Sequence, residues 1–117
     1  MNFSVYKKIF EHLLSKGYNV KSPSTAINEC KEKYIVLKRG GGTKSLSFST
    51  NYIYYDLLLY VPKENYSELD LFIDEVKRDM KELYPLVKES GIETPSYYDD
   101  NYKAHMVSIS YTNNKKI

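Results

Sequence analysis

The sequence predicts an α+β fold, in which a mostly antiparallel sheet of about four strands carries two main helices packed on it. Two segments place apolar residues at the spacing of one helix face, and four others are rich in β-branched and aromatic residues or alternate apolar with polar ones. The order helix, strands, helix, strand favours helices packed on one side of an antiparallel sheet. A chain of 117 residues has the size of one domain, so residues 1–117 are expected to form a single α+β domain.

The first predicted element is a helix over residues 4–16. Ser4 can cap its start, and Gly17 suits the left-handed position at which many helices end. Five apolar side chains recur at the spacing of a single helix face, and these are Tyr6, Ile9, Phe10, Leu13 and Leu14. The pattern predicts an amphipathic helix whose apolar face packs on the sheet.

Four strands follow from residue type and alternation. They are predicted over residues 34–38, 45–49, 52–61 and about 102–111. Residues 39–44 contain three consecutive glycines and are expected to form a flexible hairpin tip or a short exposed loop. In the longest strand, alternation places Tyr55, Leu57 and Leu59 on a face that is apolar enough to be core.

A second helix is predicted over residues 68–84. Ser67 and Asp70 approximate a capping box at its start, and Pro85 ends it because the residue before a proline avoids helical geometry. Its apolar stripe consists of Leu69, Phe72, Ile73, Val76, Met80, Leu83 and Tyr84. The last residues, 112–117, are polar and basic and are expected to be a frayed tail.

The composition argues against most catalytic and metal-binding classes. The chain has one Cys and two His, and its formal net charge is only +2. The order of residues places no nucleophile or carboxylate beside His12 or His105. Residues 39–44 lack the spacing and the following helix of a phosphate loop, and residues 98–101 lack the alternating carboxylates of a calcium loop. We therefore expect no enzymatic activity, no cofactor and no bound metal.

The 13 tyrosines are the unusual feature of the composition. Tyr52, Tyr54 and Tyr60 share the second face of the longest strand. That face can be covered within the monomer, it can contact another subunit, or it can stack bases as single-strand binding modules do. Asp56 lies among the rings and few basic residues flank them, so the third alternative is the weakest of the three.

The second half of the chain resembles a known family. Residues 55–62 read YDLLLYVP, an amphipathic helix follows, and residues 93–100 read ETPSYYDD before the last strand. In this order of elements, residues 34–111 resemble the tail-terminator and head–tail joining proteins of long-tailed bacteriophages or of related prophage tail-like particles. The resemblance implies a structural virion protein that is not an enzyme and needs no cofactor.

The resemblance also implies partners and a location. Members of the family form a ring, commonly a hexamer, that caps the tail tube and offers a docking surface to the head–tail connector. The expected partners are thus further copies of the chain, the tail tube protein and the connector protein, with DNA passing through the ring lumen. The chain is expected in the virion, at the tail or the head–tail junction, after assembly in the host bacterial cytoplasm. No segment approaches the ~20 apolar residues of a membrane helix, so no membrane partner is expected.

Two exposed segments are the candidate contacts with a neighbouring subunit or the tube. The first consists of Arg39, Gly40, Gly41, Gly42 and Lys44, and the second of Tyr97, Tyr98, Asp99 and Asp100. Two alternatives stay open at this point. The chain is either the terminator itself or an adjacent connector component, and a small single-stranded nucleic-acid-binding module with a Tyr-rich sheet face is the competing function.

Overall fold

The computed structural model describes residues 4–23, 30–44 and 50–116. The elements are α1 (Val5–Ser15), β1 (Val20–Lys21), β2 (Tyr34–Lys44), β3 (Thr50–Pro62), a 3₁₀ segment (Lys63–Glu68), α2 (Leu69–Met80), a second 3₁₀ segment (Lys81–Leu83), β4 (Lys88–Glu93), β5 (Tyr97–Asp99) and β6 (Ala104–Lys116). The predicted α+β class is confirmed. The sheet differs from the expectation in two ways. The described residues form six strands rather than about four, and one strand pair is parallel, so the sheet is mixed.

The sheet has the strand order β1-β2-β3-β6-β4, and β5 pairs with β6 beside β4. The short β1 runs parallel to β2, and all other pairs are antiparallel. The central pair is β3 with β6, which are matched along their whole length from Thr50 opposite Lys116 to Pro62 opposite Ala104. This pair is the longest uninterrupted ladder in the described sheet.

The glycine segment is part of β2, so the prediction of a hairpin tip at residues 39–44 was wrong. Its backbone pairs with β3 as far as Lys44 opposite Asn51, with one irregularity between Arg39 and Gly41. Glycine has a poor strand propensity, but the neighbouring strand supplies hydrogen bonds that propensity does not count. The strand predicted at residues 45–49 lies outside the described residues.

Both long strands also run further than predicted. β3 begins at Thr50, where a break was expected, and β6 continues to Lys116 through residues expected to be a frayed tail. The two extensions stabilise each other. Residues 112–116 pair with residues 50–54, so the backbone N–H and C=O groups of each polar strand end form hydrogen bonds with those of the other. The helices end earlier than predicted, at Ser15 and Met80.

Both helices contribute to the apolar core that covers one face of the sheet. The core contains Ile9 and Leu13 from α1, the stripe of α2 from Leu69 to Met80, and the alternate residues Tyr55, Leu57, Leu59 and Val61 of β3. The predicted core face of β3 is confirmed. Leu14 and Tyr84, both predicted on apolar faces, are instead exposed. Tyr84 is displaced because α2 gives way to a 3₁₀ segment after Met80.

Polar contacts hold α1 against the end of α2. The Tyr18 hydroxyl donates to Asp79 Oδ2 at 2.6 Å, and His12 Nε2 lies 2.8 Å from the Asp79 carbonyl oxygen. Lys16 Nζ and Glu82 Oε2 form an ion pair at 2.8 Å, and this pairing raises the pKa of Lys16. His12 thus has a structural role between the two helices.

Gly40 occupies the irregularity in β2 and leaves no room for a side chain. A Cβ built there would lie 2.7 Å from Asp56 Oδ2 on the adjacent strand. We expect Gly40→Ala to lower the free energy of unfolding by about 1 kcal/mol, because the Asp56 side chain must leave its preferred rotamer. Urea denaturation measures the change. In an Asp56→Ala background the same substitution is expected to cost much less, and an equal cost in both backgrounds would contradict the steric explanation.

Candidate functional site

The corner where β5 leads into β6 carries an exposed aromatic cluster. The His105 ring lies between two tyrosine rings, with centroid distances of 4.5 Å to Tyr66 and 5.2 Å to Tyr98. The Tyr66 hydroxyl lies 3.0 Å from Ser96 Oγ, which ties the 3₁₀ segment before α2 to the chain before β5. Tyr66 and Tyr98 are 51% and 39% exposed, so this aromatic corner presents apolar surface to solvent. Tyr97 is 50% exposed but is matched to Met106, so its side chain lies on the opposite face of β5 from Tyr98.

The turn from β5 to β6 fixes the shape of the aromatic corner. Asp99 Oδ1 accepts a hydrogen bond of 2.9 Å from the Asn101 amide, as aspartates in such turns often do. Lys103 has a φ of 53°, an uncommon conformation for a residue with a side chain. The Lys63 amide donates to the Lys103 carbonyl oxygen at 3.2 Å and closes the turn against the end of β3. Asp99 is therefore a structural residue, whereas Asp100 is exposed.

A shallow groove opens beside the corner. It has a volume of about 240 Å³ and lies between the start of α2 and the chain before β5, with Asp70, Glu93, Thr94 and Ser96 among its lining residues. Glu93 Oε1 pairs with Lys77 Nζ at 2.6 Å, an interaction that raises the pKa of Lys77 and joins α2 to β4. The groove thus separates two segments that are fixed relative to each other.

The other predicted contact lies in a three-stranded arm at the opposite end of the sheet. We define the arm as residues 38–44 of β2, 50–55 of β3 and 111–116 of β6. Its basic residues are Lys38, Arg39, Lys44, Lys115 and Lys116. These ranges contain no acidic residue, but Asp56 directly follows the β3 segment, is matched to Lys38 and places its carboxylate beside Gly40. Lys38 and Arg39 are exposed. The sequence predicted a flexible loop and a separate basic tail, but the structure places both in one ribbon.

The two predicted contact segments do not come together. Asp99 is matched to Ala104 at the first residue of β6, whereas Lys44 is joined through Asn51 to Lys115 at the far end of the same strand. Twelve residue steps separate these ends, about 40 Å at the rise of a β-strand. The molecule is elongated accordingly, with extents of 46 × 28 × 26 Å.

Most described tyrosines of β3 are not available as a stacking platform. Tyr55 belongs to the core on the helix face, and Tyr60 is buried against Tyr34, with ring centroids 4.9 Å apart. The edge of Tyr102 covers Tyr60 from the side at 5.8 Å. Cys30 lies in the same cluster and donates a 3.2 Å hydrogen bond to the Glu32 carbonyl oxygen. Tyr54 is half-buried, and the Tyr52 side chain is not among those described.

The described residues contain no group of three or more His, Cys, Asp or Glu side chains that could hold a metal ion. In the same part of the chain, no helix has the length and apolar character needed to cross a membrane. The histidines contact Asp79 and the two tyrosines of the corner. Both histidines thus pack against neighbouring elements of the fold.

Sequence reasoning identified Tyr97, Tyr98, Asp99 and Asp100 as a contact segment but missed Tyr66 and His105. Tyr66 lies 39 positions before His105 in the sequence, and no periodic pattern links them. The one available signal was that His105 and Val107 lie two positions apart in a predicted strand, so their side chains share one face. Tyr66 packs on that face, against His105.

Comparison with known proteins gives no assignment: the chain matches no protein-family model and no curated protein sequence. Its function has to be argued from its surfaces.

Buried phenols make the fold sensitive to alkali. Burial, with smaller contributions from nearby tyrosines and Asp99, raises the pKa of Tyr60 to about 12, and burial also raises the pKa values of Tyr34 and Tyr111. Among the described residues, the hydroxyls of Tyr34 and Tyr111 have no hydrogen-bond partner. These phenols stay neutral in the folded chain at a pH at which they ionise in the unfolded chain.

We therefore expect full stability below about pH 10 and a progressive loss toward pH 12, because the unfolded state binds fewer protons there. Tyr60→Phe removes one of these groups, so the free energy of unfolding is expected to fall less steeply between about pH 10 and pH 12. Tyr84→Phe, at an exposed position, is expected to leave this fall unchanged. The free energy of unfolding, measured by urea denaturation at a series of pH values, checks this. Equal pH dependence in both variants would show that burial of Tyr60 does not matter.

Proposed function

We propose that the chain is a ring-forming structural subunit that caps a tail tube or joins a tail to a head connector in a long-tailed bacteriophage or a related prophage tail-like particle. The observation that supports this most is the exposed aromatic corner around His105. Tyrosine is enriched at protein interfaces because its ring adds apolar area and its hydroxyl tolerates water. Tyr66 and Tyr98, exposed together on either side of one histidine at one end of a small domain, favour an interface.

The shape of the molecule supports the same proposal. A ring of identical subunits needs two different contact surfaces on each copy, placed so that successive rotations close. The aromatic corner and the arm are two such surfaces, and they differ in chemistry and lie at opposite ends of the β3–β6 pair. In the proposed assembly these are the contacts with neighbouring subunits, with the tube or with the connector.

The proposed function needs no catalysis. It also implies a location in the virion, at the tail or the head–tail junction. The choice between terminator and connector component depends on which partner the free surfaces of the ring bind.

The basic arm favours a second candidate, a nucleic-acid-binding module. Five cations on one ribbon, against the single carboxylate of Asp56 beside Gly40, would attract a phosphate backbone. The Tyr-rich face supports this candidate less than the sequence suggested, because Tyr60 is buried and Tyr54 is half-buried. We rank it second because the overall charge of the chain is close to neutral and its Arg content is low.

The ring can be tested on the purified chain alone. We expect a discrete closed oligomer, hexameric if the resemblance holds, to appear with rising protein concentration, because the exposed tyrosines become buried at the contacts. Mass photometry and negative-stain electron microscopy measure its mass and symmetry.

A chain that stays monomeric up to its solubility limit would contradict the ring. Fluorescence anisotropy with a labelled single-stranded oligonucleotide then tests the second candidate. Binding that weakens steeply with salt, by a monomer that never assembles, would replace the first proposal with the second.

A further inference from the structure

Charge is distributed unevenly along the long axis of the molecule. The arm holds five of the 17 Lys and Arg residues, and Asp56 beside Gly40 is the acidic residue described against it. At the other end, the 3₁₀ segment, the first turn of α2 and the β5–β6 turn carry a surplus of acidic residues. Residues 31–33 also lie at that end, because the Cys30 amide donates to the Tyr102 carbonyl oxygen. The charged residues at that end are Glu32, Glu64, Glu68, Asp70, Asp99 and Asp100, with Lys31, Lys33, Lys63 and Lys103.

The middle of the molecule has no such surplus. Several of its basic and acidic residues pair with each other, as Lys16 does with Glu82 and Lys77 with Glu93. The net charge of +2 thus hides a basic end and an acidic end. The charged residues at the two ends differ in their predominant sign and lie about 40 Å apart along β6, so one chain cannot bring them into contact.

The backbone of the arm argues against strand addition as the way it binds. β1 pairs only with Ile35 and Val36, and no described strand pairs with the outer edge of residues 38–44. Lysines on edge strands oppose edge-to-edge pairing. Both outer strands of the arm carry lysines, so two arms repel each other, and an acidic surface is the better match.

We propose that the arm of one copy binds the aromatic corner and the acidic residues around it on the next copy. This inference rests on the proposed ring and specifies its contact. The contact is heterologous, with two different surfaces meeting at every junction. The exposed rings of Tyr66 and Tyr98 provide the apolar area, and Glu64 and Asp100 provide charges opposite to those of Arg39 and Lys44.

A second copy explains more of the molecule than a nucleic acid does. A phosphate backbone would account for the basic arm but would leave the exposed tyrosines and acidic residues of the other end without a partner. A second copy accounts for both ends, because each supplies what the other lacks.

Charge reversal tests this contact. The arm variant carries Arg39→Glu and Lys44→Glu, and the corner variant carries Glu64→Lys and Asp100→Lys. Asp99 is left unchanged because its carboxylate holds the β5–β6 turn. Each variant alone is expected to assemble at least about 100-fold more weakly than the unmodified chain, since like charges then meet at every junction.

A mixture of the two variants is expected to recover assembly. The reversed arm of one variant meets the reversed corner of the other, and the two unmodified surfaces also meet, so an alternating ring with an even number of subunits has matched charges at every junction. The unmodified assembly is expected to weaken with rising salt.

Matched controls separate a local effect from a change of net charge. Lys7→Glu with Lys81→Glu, and Glu11→Lys with Asp74→Lys, make the same changes of charge at exposed helix positions. These control variants should assemble like the unmodified chain, and circular dichroism should show every variant folded. Mass photometry gives the apparent dissociation constant in each case.

The outcomes distinguish the two proposals. If the unmodified chain forms a ring that neither variant weakens, the ring stands and the proposed contact is wrong. If both variants fail alone and their mixture also fails, the two surfaces do not bind each other. If the unmodified chain never assembles and only the arm variant loses binding to a labelled oligonucleotide, both proposals give way to nucleic-acid binding.

Discussion

The pairing of β3 with β6 is the interaction on which the rest of the structure depends. Thirteen consecutive residues of each strand are matched, from Thr50 with Lys116 to Pro62 with Ala104. On one face of this pair Leu57, Leu59 and Ile109 are buried beneath the helices, and each such side chain contributes about 1.5–3 kcal/mol on leaving water. The same ladder continues beyond the helices and becomes the arm, so the core and the projecting ribbon share one backbone.

This length separates the two ends of the molecule and gives each its own chemistry. At one end the chain turns through the β5–β6 corner and the 3₁₀ segment, which bring Tyr66, Tyr98 and His105 together. At the other end, the polar ends of β2, β3 and β6 are joined by backbone pairing. The proposed ring uses these two unlike ends as its two contact surfaces.

The sequence predicted the parts of the fold whose signals are local. The apolar stripe of α2 and the buried face of β3 follow from periods of 3.6 and 2 residues, and both are where the patterns placed them. The glycine segment and the C-terminal residues were misassigned because each forms a strand by pairing with the start of β3. That pairing depends on a partner strand and leaves no periodic pattern in either segment. Likewise, Tyr97 to Asp100 stood out as an exposed segment, whereas Tyr66 joined the corner only through a contact between distant residues.

Hydrogen–deuterium exchange at low and high protein concentration shows whether the two ends of the molecule bind each other in a ring. If they do, amides of the arm and amides of residues 97–104 become protected together as the protein concentration rises, while the exchange of α1 amides stays unchanged. Protection of one end without the other, or exchange that does not depend on concentration, would contradict it.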